Sequence, residues 1–515
     1  METSNEPQNL PRRTANYKPN IWSYDRLQSL TSIYLETKYK REVEELKGQI
    51  WTTFSAVNNP VNKLEFIDRI GKLGLSHYFA EEIREAMNEI ITCKESIICS
   101  DMNEDECLYS TALYFRILRQ DAKAMHEIFE ASHLATEDEC LFDRGKTFAA
   151  AKNLTCLNPD CYLYSDKCPL HWSVTWFNVK AHVPSQNNTK LLRLAKLSFN
   201  MVQAQHQKEL KEILRWWRNL GLSEVLTFTR DRVVESFLWA VGVAYEPQYA
   251  NLRKWLTKAI TLVLIIDDVY DIYGSEYEVE QLTTAVERWD PREIQQLPEA
   301  IKRCFWTLYD TTNDIHLEIQ KEKGWNSVLP HLKKAWTDFC KALLVEAKWY
   351  HSGRTPFLQE YLDNGWISSS GPVLSLHVLF GVGEDITQTI SVFNNSAEII
   401  RHSSLIIRLC NDLGTSQAEL ERGDAASSIL CYMREANVVE GKARDHMKNL
   451  ESHSWKKIKG LYMASLSWEK PMIRYMINTA RVANFIYQNG DGFGVQNQET
   501  RDQVLSCLVE PVPLV

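Results

Sequence analysis

The chemistry of this chain is most visible at Ile265-Ile266-Asp267-Asp268-Val269-Tyr270-Asp271, which follows the apolar run Ala259-Ile260-Thr261-Leu262-Val263-Leu264. On a helix, Asp267 and Asp271 stand four apart and share one face, with Asp268 about 100° round. Three carboxylates ending an apolar helix are costly to desolvate unless positive charge accompanies them. A hard divalent cation such as Mg²⁺ meets that need: it takes oxygen ligands, keeps some of its waters and is often shared with substrate phosphates. For these residues alone, the competing reading is a solvated acidic turn.

A second oxygen-rich stripe lies far downstream. Asn411, Thr415 and Glu419 fall at i, i+4 and i+8 and offer a carbonyl, a hydroxyl and a carboxylate on one helix face. Arginines accompany both stripes. Arg230 and Arg232 flank Asp231 upstream of the aspartates, and Arg408 precedes Asn411 by about one turn. A guanidinium matches phosphate oxygens through its planar fork of donors. Each feature alone could be a polar helix face or a surface ion pair. Two oxygen-donor stripes on separate helices, each with arginines, instead favour a site for metal and a phosphorylated anion.

The elements that must position these residues read as helices. Apolar residues recur at helical spacing from about Ser23 onward, and Tyr34 to Thr53 is amphipathic, with Lys38, Lys40, Arg41, Glu42, Glu44 and Glu45 between apolar positions. Asn58-Asn59-Pro60 closes that helix, and the next begins at Lys63. Further helices are expected at Ser76–Cys93, Asp105–Arg119, Lys123–Ala135 and Thr189–Gly221. Alternating strand patterns are scarce, so the fold class is all-α. Pro159, Pro169 and Pro184 break the pattern between Thr155 and Gln186. That lapse places a boundary between a helical domain over 1–190 and a second over 191–515. No repeat of 20 to 50 residues recurs, which disfavours a solenoid.

Composition narrows the partners. The chain has 515 residues, 44% of them hydrophobic, enough for two domains with real cores, and 16 Trp, 21 Tyr and 18 Phe supply π surface. A net charge of −9 and the lack of a dense Lys/Arg run argue against nucleic acid. No apolar stretch approaches the roughly 20 residues that span a bilayer. Met1 to Pro11 holds Glu2 and Glu6 and no basic residue, unlike a secretory signal or a transit peptide. A cytoplasmic location is expected for the sequence as it stands, and a plastid one if the natural chain starts further upstream. Cys156, Cys161, Cys168 and His171 are mostly spaced too widely for a usual zinc site.

Taken together, the motifs resemble those of the plant class I terpene synthases, over nearly the whole chain. Asp267-Asp268-Val269-Tyr270-Asp271 resembles the family's aspartate-rich motif, Asn411/Thr415/Glu419 its second metal motif, and Arg230-Asp231-Arg232 its upstream arginine motif. Arg12-Arg13, then eight residues, then Trp22 resembles the tandem-arginine motif typical of the monoterpene-synthase branch. The resemblance implies a C-terminal catalytic helical bundle preceded by an α-barrel-like helical domain. It implies three Mg²⁺ ions, with Mn²⁺ as a substitute, held by Asp267, Asp268, Asp271, Asn411, Thr415 and Glu419. Of the aspartates, Asp267 and Asp271 are the ligands expected to matter most, with Asp268 supporting them by hydrogen bonding or by pairing with an arginine.

The substrate implied is an acyclic prenyl diphosphate held by Arg230, Arg232 and Arg408, with Arg12 and Arg13 assisting. Its ionisation leaves an allylic cation over aromatic surface, with Trp239 as pocket floor. Gly371-Pro372 after Ser368-Ser369-Ser370 would break a helix. In the family that break turns backbone carbonyls toward the cation. Tyr487-Gln488-Asn489-Gly490-Asp491-Gly492-Phe493-Gly494 resembles the capping loop, with Tyr487 and Asp491 as proton acceptors. A monomer is expected, acting as a carbon–oxygen lyase.

There are departures. The chain passes directly from Arg119-Gln120 to Asp121, where relatives carry a few dozen more residues, and the stretch after Trp172 is abbreviated. Ser427 stands where many relatives have Lys. No Asp-x-Asp-Asp motif is present, so protonation-initiated cyclisation is not expected. The tandem arginines favour geranyl diphosphate, the substrate expected here, with a monoterpene as product; the lack of a transit peptide favours the alternative, farnesyl diphosphate and a sesquiterpene. A degenerate, inactive binding protein is the reading from another class, and intact ligands in both motifs speak against it. A chain-elongating prenyl synthase would be expected to show a second aspartate-rich motif.

Overall fold

A computed structural model describes residues 12, 15, 17–92, 169–184, 188–422 and 426–514; of 91, 92, 170 and 417–422 it describes the backbone. Among the described residues there are helices and turns and no strand, as the all-α reading requires. The expected helices at Asp105–Arg119 and Lys123–Ala135, and the cysteines at 156, 161 and 168, lie outside the described residues.

Local chemistry sets the helix ends. The Asn59 side chain accepts from the N–H groups of Val61 and Asn62, and Pro60 stands in the first turn, where its missing N–H costs nothing. The helix therefore starts at Pro60 and not at the expected Lys63. The expected Ser76–Cys93 helix is split into a 3₁₀ turn, Ser76–Tyr78, and a helix, Ala80–Thr92. Within the stretch expected to be irregular, Thr175–His182 is helical. Trp176 anchors it, stacked at 4.4 Å on Phe199 and 5.1 Å on Tyr245.

The long helix Thr189–Leu220 is capped by Asn188 and ends at Gly221, whose φ of +60° suits glycine. It packs against Thr37–Ser55 on one side and against Val233–Val243 and Ala250–Asp268 on the other. It begins at the expected domain boundary, and its buried face belongs to one continuous core that includes residues from both sides of that point, such as Val43 and Phe237.

Two helices that are apolar all round occupy the centre of the C-terminal bundle, as such helices must. Every residue of Val233–Val243 is buried, and Gly371–Val382 is buried from Val373 to Phe380. Around them pack Ala250–Asp268, Lys470–Tyr487 and Ala397–Arg422. The expected helix break is present: Leu358–Ser368 stops and Gly371–Val382 starts after Ser370, held at φ +65°. Gly371 lies so close to the Ser404 side chain that a methyl added there would overlap it. This break brings Ser369 and Ser370 to the site described next.

Candidate active site

The aspartate helix, Ala250–Asp268, runs straight into a single π turn, Val269–Tyr273. Such turns are rare and often functional. Tyr270 fixes the turn from beneath, buried with its hydroxyl 2.8 Å from Thr283 Oγ1. Gly274 closes it with an N–H to the Val269 carbonyl at 2.8 Å. Asp267 keeps 30% of its side chain exposed at the cavity wall, whereas Asp268 keeps 1%. Asp271 is half-buried in the π turn and does not line the cavity.

Arg230 binds both of the paired aspartates. Its Nη2 lies 2.6 Å from Asp267 Oδ2 and 2.9 Å from Asp268 Oδ1, and its backbone N–H donates to Asp268 Oδ2 at 2.9 Å. The Tyr17 hydroxyl adds a bond to Asp268 Oδ1 at 3.1 Å. Burial pushes the Asp268 carboxyl up to about 6, and Arg230 pulls it only part of the way back. The Arg230 guanidinium is raised well above its usual range, because both aspartates and Tyr17 outweigh burial. Asp268 is thus paired with arginine, and Asp267 is the carboxylate presented to the cavity.

Across the cavity stand Arg408 and Asn411 on the helix Ala397–Arg422. Arg408 Nη2 donates to Ser368 Oγ at 2.8 Å and lies 3.4 Å from Glu346 Oε1, while Nη1 lies 3.9 Å from Asp412 Oδ1. Asn364 and Ser368 also donate to Glu346 Oε1. Asp412 accepts from Tyr361 at 3.1 Å and from the Ser428 N–H at 2.9 Å. Arg408 is held well above its ordinary range by Glu346, Tyr361 and Asp412. Thr415 is buried and donates to the Asn411 carbonyl at 2.9 Å, which leaves its oxygen lone pairs available. Glu419 follows on the same helix; its side chain lies outside the described residues. Ser427 is buried and caps the helix Ser428–Ala436.

The floor and rim are aromatic. Trp239, on the central helix Val233–Val243, meets Tyr487 edge-on at 6.3 Å and Phe493 at 5.7 Å. All three line the cavity with Ile260, Val263, Leu264 and Leu374. Burial and the nearby Asp491 raise the Tyr487 phenol above its usual range. Asp491 accepts from the N–H groups of Phe493 and Gly494 at 3.2 and 2.6 Å, folding the loop back on itself. Gly414 lets this segment approach the Asn411 helix, since a methyl there would lie 2.9 Å from the Gly490 carbonyl.

Not every expected residue reaches the cavity. Arg232 is buried and turned away: Nε donates to the Phe493 carbonyl at 2.6 Å and Nη2 to that of Gly494 at 3.3 Å. Through these two carbonyls it fastens the capping loop. Arg12 lies off the cavity too, with its two Nη atoms each 2.8 Å from a Glu278 oxygen. Arg13 lies outside the described residues. No motif assigns a role to Tyr17, Glu346 or Asp412. Glu346 did carry a signal, as a single carboxylate in the apolar run Leu343-Leu344-Val345-Glu346-Ala347.

Among the described residues, no three His, Cys, Asp or Glu side chains gather into a metal cage. The donors that face the cavity, Asp267 and Asn411, nevertheless fit a hard cation that shares its shell with water and ligand phosphates.

Comparison with known proteins completes the assignment. The chain matches the model of the terpene synthase family metal binding domain over residues 218–457 and that of the terpene synthase N-terminal domain over 21–122. It is 45% identical to alpha-farnesene synthase of Ricinus communis, covering 98% of this chain and 96% of that one. The chain belongs to the terpene synthase family. Family members are lyases acting on prenyl diphosphates, and the matched metal-binding domain implies use of a divalent metal. Two solved structures are similar over nearly the whole length. Limonene synthase with 2-fluorolinalyl diphosphate has a TM-score of 0.90 at 34% identity, covering 98% of this chain and 100% of that one. Isoprene synthase from grey poplar, in complex with three Mg²⁺ ions and dimethylallyl-S-thiolodiphosphate, has 0.85 at 35% identity, covering 96% and 99%. As a terpene synthase, the chain has the fold expected of it, and no described helix is long and apolar enough to cross a membrane.

Proposed function

We propose that this terpene synthase ionises an acyclic allylic prenyl diphosphate with the help of Mg²⁺. The observation that carries the proposal is one cavity walled by Asp267 and Arg230 on one side, Asn411 and Arg408 on the other, over the Trp239 floor. Asp267, Asp271, Asn411, Thr415 and Glu419 would hold three Mg²⁺ ions, in keeping with the three in the isoprene synthase complex, with Mn²⁺ as a substitute. When bound, the cations supply positive charge where the departing diphosphate becomes negative.

Arg230 and Arg408 bind diphosphate oxygens, both already positioned by buried carboxylates. The allylic cation left behind lies over the π faces of Trp239, Tyr487 and Phe493. The capping loop, held by Arg232, keeps water from quenching it. The proton that ends the reaction goes to the Asp491 carboxylate, directly or with the neutral Tyr487 phenol passing its own proton on as it takes up the new one. The division into domains at 1–190 and 191–515 belongs to the same proposal, with the chemistry confined to the second. So does a monomeric state.

Chain length of the substrate divides two readings. The tandem-arginine pattern and limonene synthase favour geranyl diphosphate. The 45% identity to a protein named for farnesene, a fifteen-carbon hydrocarbon, favours farnesyl diphosphate. Incubating the purified protein with each diphosphate and Mg²⁺, and analysing volatiles by gas chromatography, tests both. The ratio of kcat/KM between the two assigns the length, and turnover of neither would contradict the enzyme reading.

A further inference from the structure

Among the contacts that fasten the described part of the N-terminal strap to the catalytic half are those of Arg12, Tyr17 and Trp22. Arg12 grips Glu278 and donates to the Tyr273 carbonyl at 3.0 Å. Trp22 Nε1 donates to Glu235 Oε1 at 2.7 Å, and the same oxygen takes Gln496 Nε2 at 2.6 Å. Between them, Tyr17 donates to Asp268 Oδ1, and its ring lies under the Arg230 guanidinium at 5.2 Å. Of these three contacts, the last bears on the aspartate motif itself.

We propose that Tyr17 is a positioning residue for the diphosphate site, acting through Asp268 and Arg230. Asp268 is buried and needs donors on both oxygens. Oδ2 is satisfied by the Arg230 backbone N–H and Nε, but Oδ1 draws on Arg230 Nη2 and the Tyr17 hydroxyl. Nη2 is also the atom that reaches Asp267. A ligand anion that takes up Arg230 must draw Nη2 from the aspartates, and the Tyr17 hydroxyl then keeps Asp268 Oδ1 from being stranded. The strap's docking is thereby linked to ligand affinity, and Tyr17 is the residue through which the link runs. This inference rests on the proposed diphosphate site.

The test is calorimetric titration of the full chain with inorganic diphosphate at fixed Mg²⁺, repeated across Mg²⁺ concentrations. Tyr17→Phe removes the hydroxyl and keeps the ring, so Kd should rise about tenfold, the scale of a hydrogen bond to a charged group. The Mg²⁺ needed for half-saturation should rise with it, and the circular dichroism spectrum should not change. Trp22→Phe loosens the strap without touching the motif and should weaken binding less. An unchanged Kd in Tyr17→Phe overturns the inference, and so does an equal loss in Trp22→Phe. If the unmodified protein binds no diphosphate, the site assignment itself fails.

Discussion

Arg408 and Glu346 face each other behind the cavity wall, Nη2 to Oε1 at 3.4 Å, with only 13% and 8% of their side chains exposed. A cation this deep cannot be aimed at a ligand by solvent. It is aimed by Glu346, Ser368 and the ring of Tyr361, 5.7 Å from the guanidinium carbon. Glu346→Ala strands a buried charge and should cost about 3–5 kcal/mol of stability in urea unfolding. Glu346→Gln keeps the hydrogen-bonding geometry and should cost less, while still lowering diphosphate affinity through Arg408.

The capping loop gives a separable prediction. A methyl added at Gly494 would overlap the Asp491 carboxylate, which is bonded to the Gly494 N–H. Gly494→Ala should therefore open the loop at the cavity mouth and cut kcat/KM by about tenfold, roughly 1.4 kcal/mol of transition-state stabilisation. Gly494 is buried, so the same overlap should also lower the melting temperature. A calorimetric scan beside the kinetic assay checks both.

The helix break should be intolerant of added volume. Gly371→Ala drives a methyl into Ser404, whose Cα is 3.0 Å away, and overpacking of this kind costs about 1–3 kcal/mol. Ser404→Gly in the same chain removes the opposing Cβ and should restore part of that loss. A double-mutant cycle from chemical unfolding would show the coupling.

Acid should weaken the fold through buried histidines. His377 is 2% exposed, its Nδ1 lies 2.8 Å from the Val373 carbonyl, and burial lowers it from 6.5 to about 4. Its folded-state pKa lies below the unfolded value, so the unfolded chain binds the proton more readily between those limits. Stability is thus lost as pH falls from 6.5 towards 4, by about 3 kcal/mol for this group. His377→Leu should flatten the dependence of unfolding free energy on pH in that window. His206, fully buried, is shifted in the same direction.

Much of this site was legible because its chemistry is periodic. Asp267, Asn411 and Thr415 announce themselves as oxygen donors at helical spacing, and Ser368 to Pro372 announces a break. The π turn was not legible, since Val269 to Tyr273 continues the helical pattern and only tertiary packing under Tyr270 widens it. The direction of Arg232 was not legible either, because its spacing from Asp231 says nothing of it; the carbonyls it binds lie 261 and 262 residues along the chain. Tyr17 and Glu346 act through partners remote in sequence, which no local pattern encodes.

The central claim is that Asp267 presents the working carboxylate to a prenyl diphosphate. The direct measurement compares the unmodified protein with Asp267→Ala, each with Mg²⁺ and whichever of geranyl and farnesyl diphosphate is turned over. The account predicts that terpene release falls by about a hundredfold to a thousandfold, the range ascribed to loss of one preorganised electrostatic group, while the helical spectrum and melting profile persist. Retained turnover in a folded Asp267→Ala protein would contradict it.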